Sequence, residues 1–283
     1  MFAPLYTGLV SVETFGIGRH GERLAMTLIG HYKSVSCPYS PDGHHIASAS
    51  VNGTVRIWDV RTGQEAMAPL RNGEDDDGDE DEDGDDGGDG GATYSVSFSP
   101  NGKSVASGAK AGVYIWTGLA GQPTVMHLNG VSPVAFSPNG SILVSGSSGW
   151  TIRLWSAETG ENVAAFSGHT SRVLTIAFCP NSQILASCSH DRTIRLWNCH
   201  TSQPLGLLSH GEWTISVCFS PDGSWLASGS GSGNIQIWDW QTGSIIKTLL
   251  GHSCWVYSVH FSPDGRLLVS ASSDKSVRLW TLH

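Results

Sequence analysis

The chain has 283 residues, of which 35 are glycine and only 14% are charged, a balance that suits turn-rich β structure better than helices. Its net charge of −9 is uneven: 12 acidic residues and no basic one lie between Glu74 and Asp89, which leaves the remainder at +3. A near-neutral body argues against nucleic-acid binding by charge, and no apolar run approaches the ~18 residues of a membrane span.

Residues 1–21 are weakly patterned, with no basic n-region or cleavage site, so no signal peptide is expected. Glu22 to Ile29 reads as a strand that leads into Gly30-His31. A first unit follows, from His31 to Trp58-Asp59. It contains the turn Ser40-Pro41-Asp42-Gly43 and the small-residue strand Ile46 to Ser50, and residues 61–70 trail it as a further strand. The acidic, glycine-rich segment at 73–91 cannot bury apolar surface and its charges repel, so disorder is predicted there. A second unit with Phe98-Ser99-Pro100-Asn101-Gly102 ends at Trp116. A third with Phe136-Ser137-Pro138-Asn139-Gly140 ends at Trp155.

The fourth unit is the clearest. Gly168-His169 opens it, Val173 to Phe178 is an apolar run, and Pro180-Asn181 turns the chain. Ile184 to Ser189 is a second strand rich in small residues, and His190-Asp191-Arg192 turns again. Thr193 to Trp197 then alternates polar and apolar residues, so the unit reads as a β-meander. The first strand, apolar on both faces, is expected to be buried on both, in the innermost position between neighbouring sheets. The fifth and sixth units carry Phe219-Ser220-Pro221-Asp222-Gly223 with Trp238, and Phe261-Ser262-Pro263-Asp264-Gly265 with Trp280. The tryptophans that end successive units, from Trp116 onward, are 39, 42, 41 and 42 residues apart, while Trp58 and Trp116 are 58 apart, longer by about the acidic insert.

This combination of Gly-His, Phe-Ser-Pro-Asp-Gly, Leu-Ala-Ser-Gly-Ser and Ile-Arg-Leu-Trp resembles the WD-repeat family of β-propellers. It is closest in style to fungal and bacterial arrays of near-identical repeats. The resemblance covers roughly residues 22–283. It implies an all-β propeller of four-stranded antiparallel blades, six in number, with seven as the alternative if Val12 to Ile17 is a degenerate remnant. The Glu22 to Ile29 strand would close the last blade and remove two open edges.

The resemblance also implies a buried network of His, Ser, Asp and Trp within a blade. His169, Ser187, Asp191 and Trp197 match it, as do His252, Ser270, Asp274 and Trp280. The other units depart: Asn52 stands for Asp in the first, Gly149 in the third and Ser232 in the fifth. His127 is a candidate for the third unit's histidine. A Ser, His and Asp set invites a catalytic reading. Its recurrence at structural repeats, with the serine inside a strand, favours buried polar groups that lock register.

Other motifs dissolve on inspection. Gly16-Ile17-Gly18-Arg19-His20-Gly21 has the glycine spacing of a dinucleotide loop, yet no acidic residue follows at 38–41. Asp79, Asp81, Asp83 and Gly84 copy half of an EF-hand loop, but Gly90 stands where a bidentate Glu is needed. The six cysteines have no Cys-x-x-Cys pair and read as free thiols in a reducing compartment, cytoplasmic or nuclear. No metal or cofactor is expected.

The function implied is a noncatalytic scaffold that binds other proteins or peptides on the loop rim. Arg172, His190, Trp213, Trp255, Tyr257 and Trp150 are the rim candidates, since aromatics and Arg anchor interfaces. Residues 74–89 could recruit basic partners such as histones or ribosomal proteins, in a salt-sensitive way. Trp58-Asp59-Val60-Arg61 resembles the docking box of cullin-type ubiquitin-ligase substrate receptors. A propeller hydrolase is the enzymatic alternative, and no set of convergent acids supports it.

Overall fold

The computed structural model of the chain describes residues 16–17, 23–24, 38–50, 53–71, 93–109, 112–118, 124–147 and 149–282. The acidic segment at 73–91 lies outside the described residues, as do His31 and Asn52. Among the described residues there are 24 strands and no helix. They form six meander sheets in chain order and one separate pair, Gly16–Ile17 with Arg23–Leu24. This is the strand content of a six-bladed β-propeller. The chain divides into two compact units, residues 1–132 and 133–283.

The first unit holds two sheets. One runs His45–Ala49, Thr54–Asp59 and Leu70–Arg71; the other runs from Thr93–Phe98 to Thr124–Leu128 and has four strands. Of the trailing strand expected at 61–70, only Leu70–Arg71 and a bridge between Trp58 and Glu65 form. Val55, Ile57, Val96, Val105 and Trp116 close the core of this unit. The second unit holds three four-stranded sheets, which begin at Val131–Phe136, Val173–Phe178 and Thr214–Phe219. A final three-stranded sheet comprises Val256–Phe261, Leu267–Ser272 and Val277–Thr281.

Local chemistry makes the first hairpin of each sheet. Ser220 Oγ donates to Asp222 Oδ1 at 2.6 Å and accepts the Trp225 N–H at 2.9 Å. Gly223 takes φ +74°, and its N–H reaches the Ser220 carbonyl at 2.9 Å. A side chain disfavours that left-handed backbone, which is why Asp-Gly or Asn-Gly recurs. The same Ser to Asp or Asn bond forms at Ser40, Ser99, Ser137 and Ser262. In the fourth repeat Ser182 occupies the glycine position, at φ +61°.

Burial differs from the sequence expectation. In the fourth repeat only Val173 and Ile176 of the first strand are buried, whereas Leu185 to Ser189 of the second strand are buried throughout. The first strand is an edge of its sheet. The second has a strand on either side, and its small side chains let the neighbouring sheet approach. Sheets of the second unit are also tied by hydroxyls: Thr175 Oγ1 donates to the Ile215 carbonyl at 2.7 Å, and Ser216 Oγ to the Val256 carbonyl at 3.4 Å. Mixed cores fill the gaps, with Cys188, Ile194 and Leu196 of one sheet against Val217, Leu226 and Trp238 of the next.

A closing strand at 22–29 is described only at Arg23–Leu24, and those two residues pair with Gly16–Ile17.

Gly229 tests the packing between sheets. A Cβ there would stand 2.7 Å from Val256 Cγ1 and 2.8 Å from Ser216 Oγ. Gly229→Val should therefore cost about 1–3 kcal/mol, read as a lower urea midpoint. An unchanged midpoint would show that the two sheets can part without loss.

Candidate functional site

Two buried networks recur in the second unit. Trp197 Nε1 donates to Ser187 Oγ at 2.9 Å, and Ser187 Oγ lies 2.8 Å from His169 Nε2. His169 Nδ1 lies 2.7 Å from Asp191 Oδ2. Because Ser187 accepts the indole N–H, its own hydroxyl donates to Nε2, and the imidazole proton sits on Nδ1 facing the carboxylate. Asp191 also accepts the N–H of Thr170 at 3.0 Å, and the N–H and hydroxyl of Thr193 at 3.0 and 2.6 Å. Trp280, Ser270, His252 and Asp274 repeat the chain at 2.8 Å per link.

This is the polarity of a Ser, His and Asp relay, but Ser187 is 0% exposed and its oxygen already holds an indole. What the network does is tie two strands, the corner before the first strand and the turn between the second and third together. Burial holds His169 below the usual histidine range, although Asp191 pulls it the other way. Burial would raise Asp191, yet its bonds from Thr193, Thr170 and His169 outweigh this and hold it below the usual carboxylate range.

Elsewhere the network is partial. Trp58, Trp155 and Trp238 keep their serine bonds, to Ser48, Ser145 and Ser228 at 2.7, 2.9 and 2.8 Å. His127 does not serve the third repeat. It lies in the strand Thr124–Leu128 and stacks on Tyr114 of the second sheet, with ring centroids 4.6 Å apart. The third repeat lacks the Gly-His corner, so the chain passes from that strand to Val131 through a two-residue link.

The rim residues come from equivalent places. Arg172, Trp213 and Trp255 each precede a first strand, and the carbonyl of each accepts an N–H from the next turn: His190, Gly231 and Ser273, at 3.1, 2.8 and 2.9 Å. Tyr257 sits at the bulge between Val256 and Ser258, which turns it from the ladder. The rings form a row. His190 lies 5.5 Å from Trp213, Trp213 lies 5.8 Å from Trp255 at 86°, and Trp255 lies 6.2 Å from Tyr257. Trp213, Trp255 and Tyr257 remain 43%, 37% and 41% exposed.

His190 is held below the usual histidine range by burial and by the charge of Arg172. Trp150 is exposed too, in left-handed backbone at φ 61°, but it takes part in none of these ring contacts. A cleft of about 330 Å³ opens beside the two tryptophans, lined by Arg192, Gly211, Glu212, Gly231 and Ser232. In sequence the two tryptophans are separate rim candidates; Arg192, Glu212 and Ser232 join them only through this shared cleft.

Other candidate chemistry is accounted for locally. Asp59 of the docking-box resemblance accepts the Thr62 N–H at 2.7 Å and its hydroxyl at 2.9 Å, so it builds the turn that follows. Cys179, Cys188, Cys199, Cys218 and Cys254 are free thiols, and burial pushes Cys188, Cys199 and Cys218 up to about 12. Such thiols are inert at neutral pH. Among the described residues no three His, Cys, Asp or Glu side chains gather as a metal site would need.

Comparison with known proteins agrees with the repeat pattern. The family model described as WD domain, G-beta repeat matches residues 22–59, 87–117, 124–156, 160–198, 202–239 and 243–281. Protein hir1 of Aspergillus terreus is 33% identical over 143 residues, 50% of this chain and 13% of that protein. A guanine nucleotide-binding protein subunit beta of Arabidopsis thaliana is 30% identical over 161 residues, 53% of this chain and 37% of its own length. Telomerase protein component 1 of Rattus norvegicus is 25% identical over 170 residues, 59% of this chain and 6% of that protein. The chain thus spans well under half the length of these relatives.

Asp191→Ala should lower stability by about 1.5–3 kcal/mol, because it strands a buried imidazole and two backbone donors; an unshifted denaturant midpoint would contradict this. Acid should act through the same groups. The native pKa of His169 lies below that of the unfolded chain, about 6.5, so the unfolded state takes up the proton first. Stability is then full above about pH 6.5 and falls as pH drops below it, with Asp191 adding a further loss below its ordinary pKa. Urea melts at about pH 7.5 and 5.5 read the first step, and His169→Gln should shrink it.

Proposed function

This chain belongs to the WD domain, G-beta repeat family, and on that premise we propose that it is a noncatalytic scaffold that binds a partner protein on the rim carrying Trp213 and Trp255. The observation behind this reading is the continuous row of His190, Trp213, Trp255 and Tyr257, drawn from three consecutive sheets and left open to solvent. A soluble protein gains nothing for its own fold by exposing two indoles in contact. Desolvated by a partner, the same rings become anchors, as Trp and Tyr are at binding hot spots.

Arg172 and Arg192 flank the row, and Glu212 stands within the cleft, so polar groups surround an aromatic centre. Trp150 supports a broader rim. Its left-handed backbone costs roughly 1–2 kcal/mol in a residue that is not glycine, for a side chain that is half exposed. The enzymatic reading finds no support in the buried relay, whose serine lies out of reach of any substrate. Free, buried thiols support a reducing compartment, cytoplasmic or nuclear.

Replacing Trp213 and Trp255 together by Ala should abolish capture of the partner while circular dichroism and the cooperative melt persist. Undiminished capture by a folded double variant would refute the assignment of this rim.

A further inference from the structure

The fifth repeat holds an anomaly. His210 occupies the place of His169 and His252. Its ring meets Trp238 edge-on at 6.2 Å and 65°, against 6.2 Å and 67° for His169 on Trp197, and 6.1 Å and 69° for His252 on Trp280. The imidazole has therefore kept its position. It is 7% exposed, and neither Nδ1 nor Nε2 makes a hydrogen bond of normal geometry, although its own backbone, that of Ser228 and the Glu212 carboxylate act on the ring. A buried polar group in that state costs about 1–3 kcal/mol.

The cause is in the turn. Where the fourth and sixth repeats place Asp191 and Asp274, the fifth has Ser232, whose hydroxyl turns to Ser230 Oγ at 3.0 Å. Gly231 and Gly233 flank it, so no large side chain covers the spot. Ser232 and Gly211, the residue after His210, both line the cleft beside Trp213 and Trp255. The one place in this repeat where a carboxylate belongs thus opens on the proposed docking rim.

We propose that this cleft receives a carboxylate from the partner, the side chain of an Asp or Glu in a docked peptide, seated where neighbouring repeats use their own aspartate. The proposal rests on the scaffold reading above and gives the partner's chemistry. The fourth repeat supplies the template: Asp191 takes His169 Nδ1, the Thr170 N–H, and the N–H and hydroxyl of Thr193. The counterparts here are His210, Gly211 and Asn234. Arg192 lines the cleft and attracts an anion, while Glu212 opposes one. Glu212 sets the selectivity for a carboxylate that also gains the two indole faces, since a free anion gains only the hydrogen bonds. The side chain that fills the place completes a buried network, so its contribution exceeds that of a surface ion pair.

The test uses the full chain with labelled histidine and two capped probe peptides, Gly-Trp-Asp-Gly and Gly-Trp-Asn-Gly, followed by the NMR signals of the His210 ring. The Asp peptide should shift these signals saturably, at least about tenfold more tightly than the Asn peptide. Ser232→Asp should supply the carboxylate from within. It should raise the melting temperature by about 2–4 °C and remove the response to the Asp peptide. Equal response to both peptides, no response to either, or a response that survives in Ser232→Asp would each overturn the proposal. Loss of partner capture in the Trp213 and Trp255 double variant, alongside any of those results, would leave the scaffold reading standing without the carboxylate.

Discussion

A single buried contact recurs through the chain and the rest is built on it: an indole N–H of the third strand given to a serine hydroxyl of the second, ten residues earlier. Tryptophan is large enough to fill the space between sheets, but its N–H cannot be buried unpaired. The serine that meets it must be small, because the second strand packs against the first strand of the next sheet. Slipping the hairpin by one residue would turn both groups to the wrong face and strand the donor. Bulk and register are thus fixed by the same pair, and only then does a histidine have a hydroxyl to lean on and an aspartate a histidine to hold.

The repeats differ in how far this chain is extended. In the fourth and sixth it runs to an aspartate that gathers the amides of the following turn, so that the turn can carry side chains such as His190 and Ser273. In the fifth it stops at Ser228, with His210 in place but not joined to it, and the turn is made of glycine and serine. In the third it stops at Ser145, and the turn carries Trp150 in left-handed backbone. What each turn presents to solvent follows from how the network beneath it ends. Structure and surface chemistry are therefore coupled within a repeat, and the rim inherits its variety from the core.

The parts of this arrangement that depend on neighbours in sequence could be read from sequence. The Ser-Pro-Asp-Gly turns, the tryptophan period and the spacing of 22 residues between His169 and Asp191 are such cases, because each is closed by bonds within one repeat. Contacts between repeats could not. Trp213 and Trp255 are 42 positions apart, and nothing local says that their rings will touch. His127 misled for the reverse reason: its distance from Phe136 fits a network histidine, but the shortened corner leaves it in the preceding sheet, against Tyr114. The first strand was expected to be buried on both faces because its residues are apolar on both. In the fourth repeat burial favours the second strand instead, whose small residues are covered throughout.

A repeat array gives an internal control that a single domain lacks, because equivalent positions can be compared within one chain. Residues shared by the repeats answer to the common requirement of packing sheet on sheet. Departures answer to something else, or to nothing. If they answered to nothing they would scatter. In the fifth repeat Ser232 in place of the aspartate, Gly231 of the same turn and the tryptophan before the strand all meet at one cleft, with the sixth repeat's Trp255 as its far wall. Loss of Asp alone would leave a buried imidazole unsatisfied, which costs stability and brings the fold nothing. Its coincidence with exposed aromatics makes the same defect useful, because a partner that supplies the missing acceptor recovers that cost as binding energy. The weakest point of the network and the strongest candidate for recognition are then one place, for one physical reason.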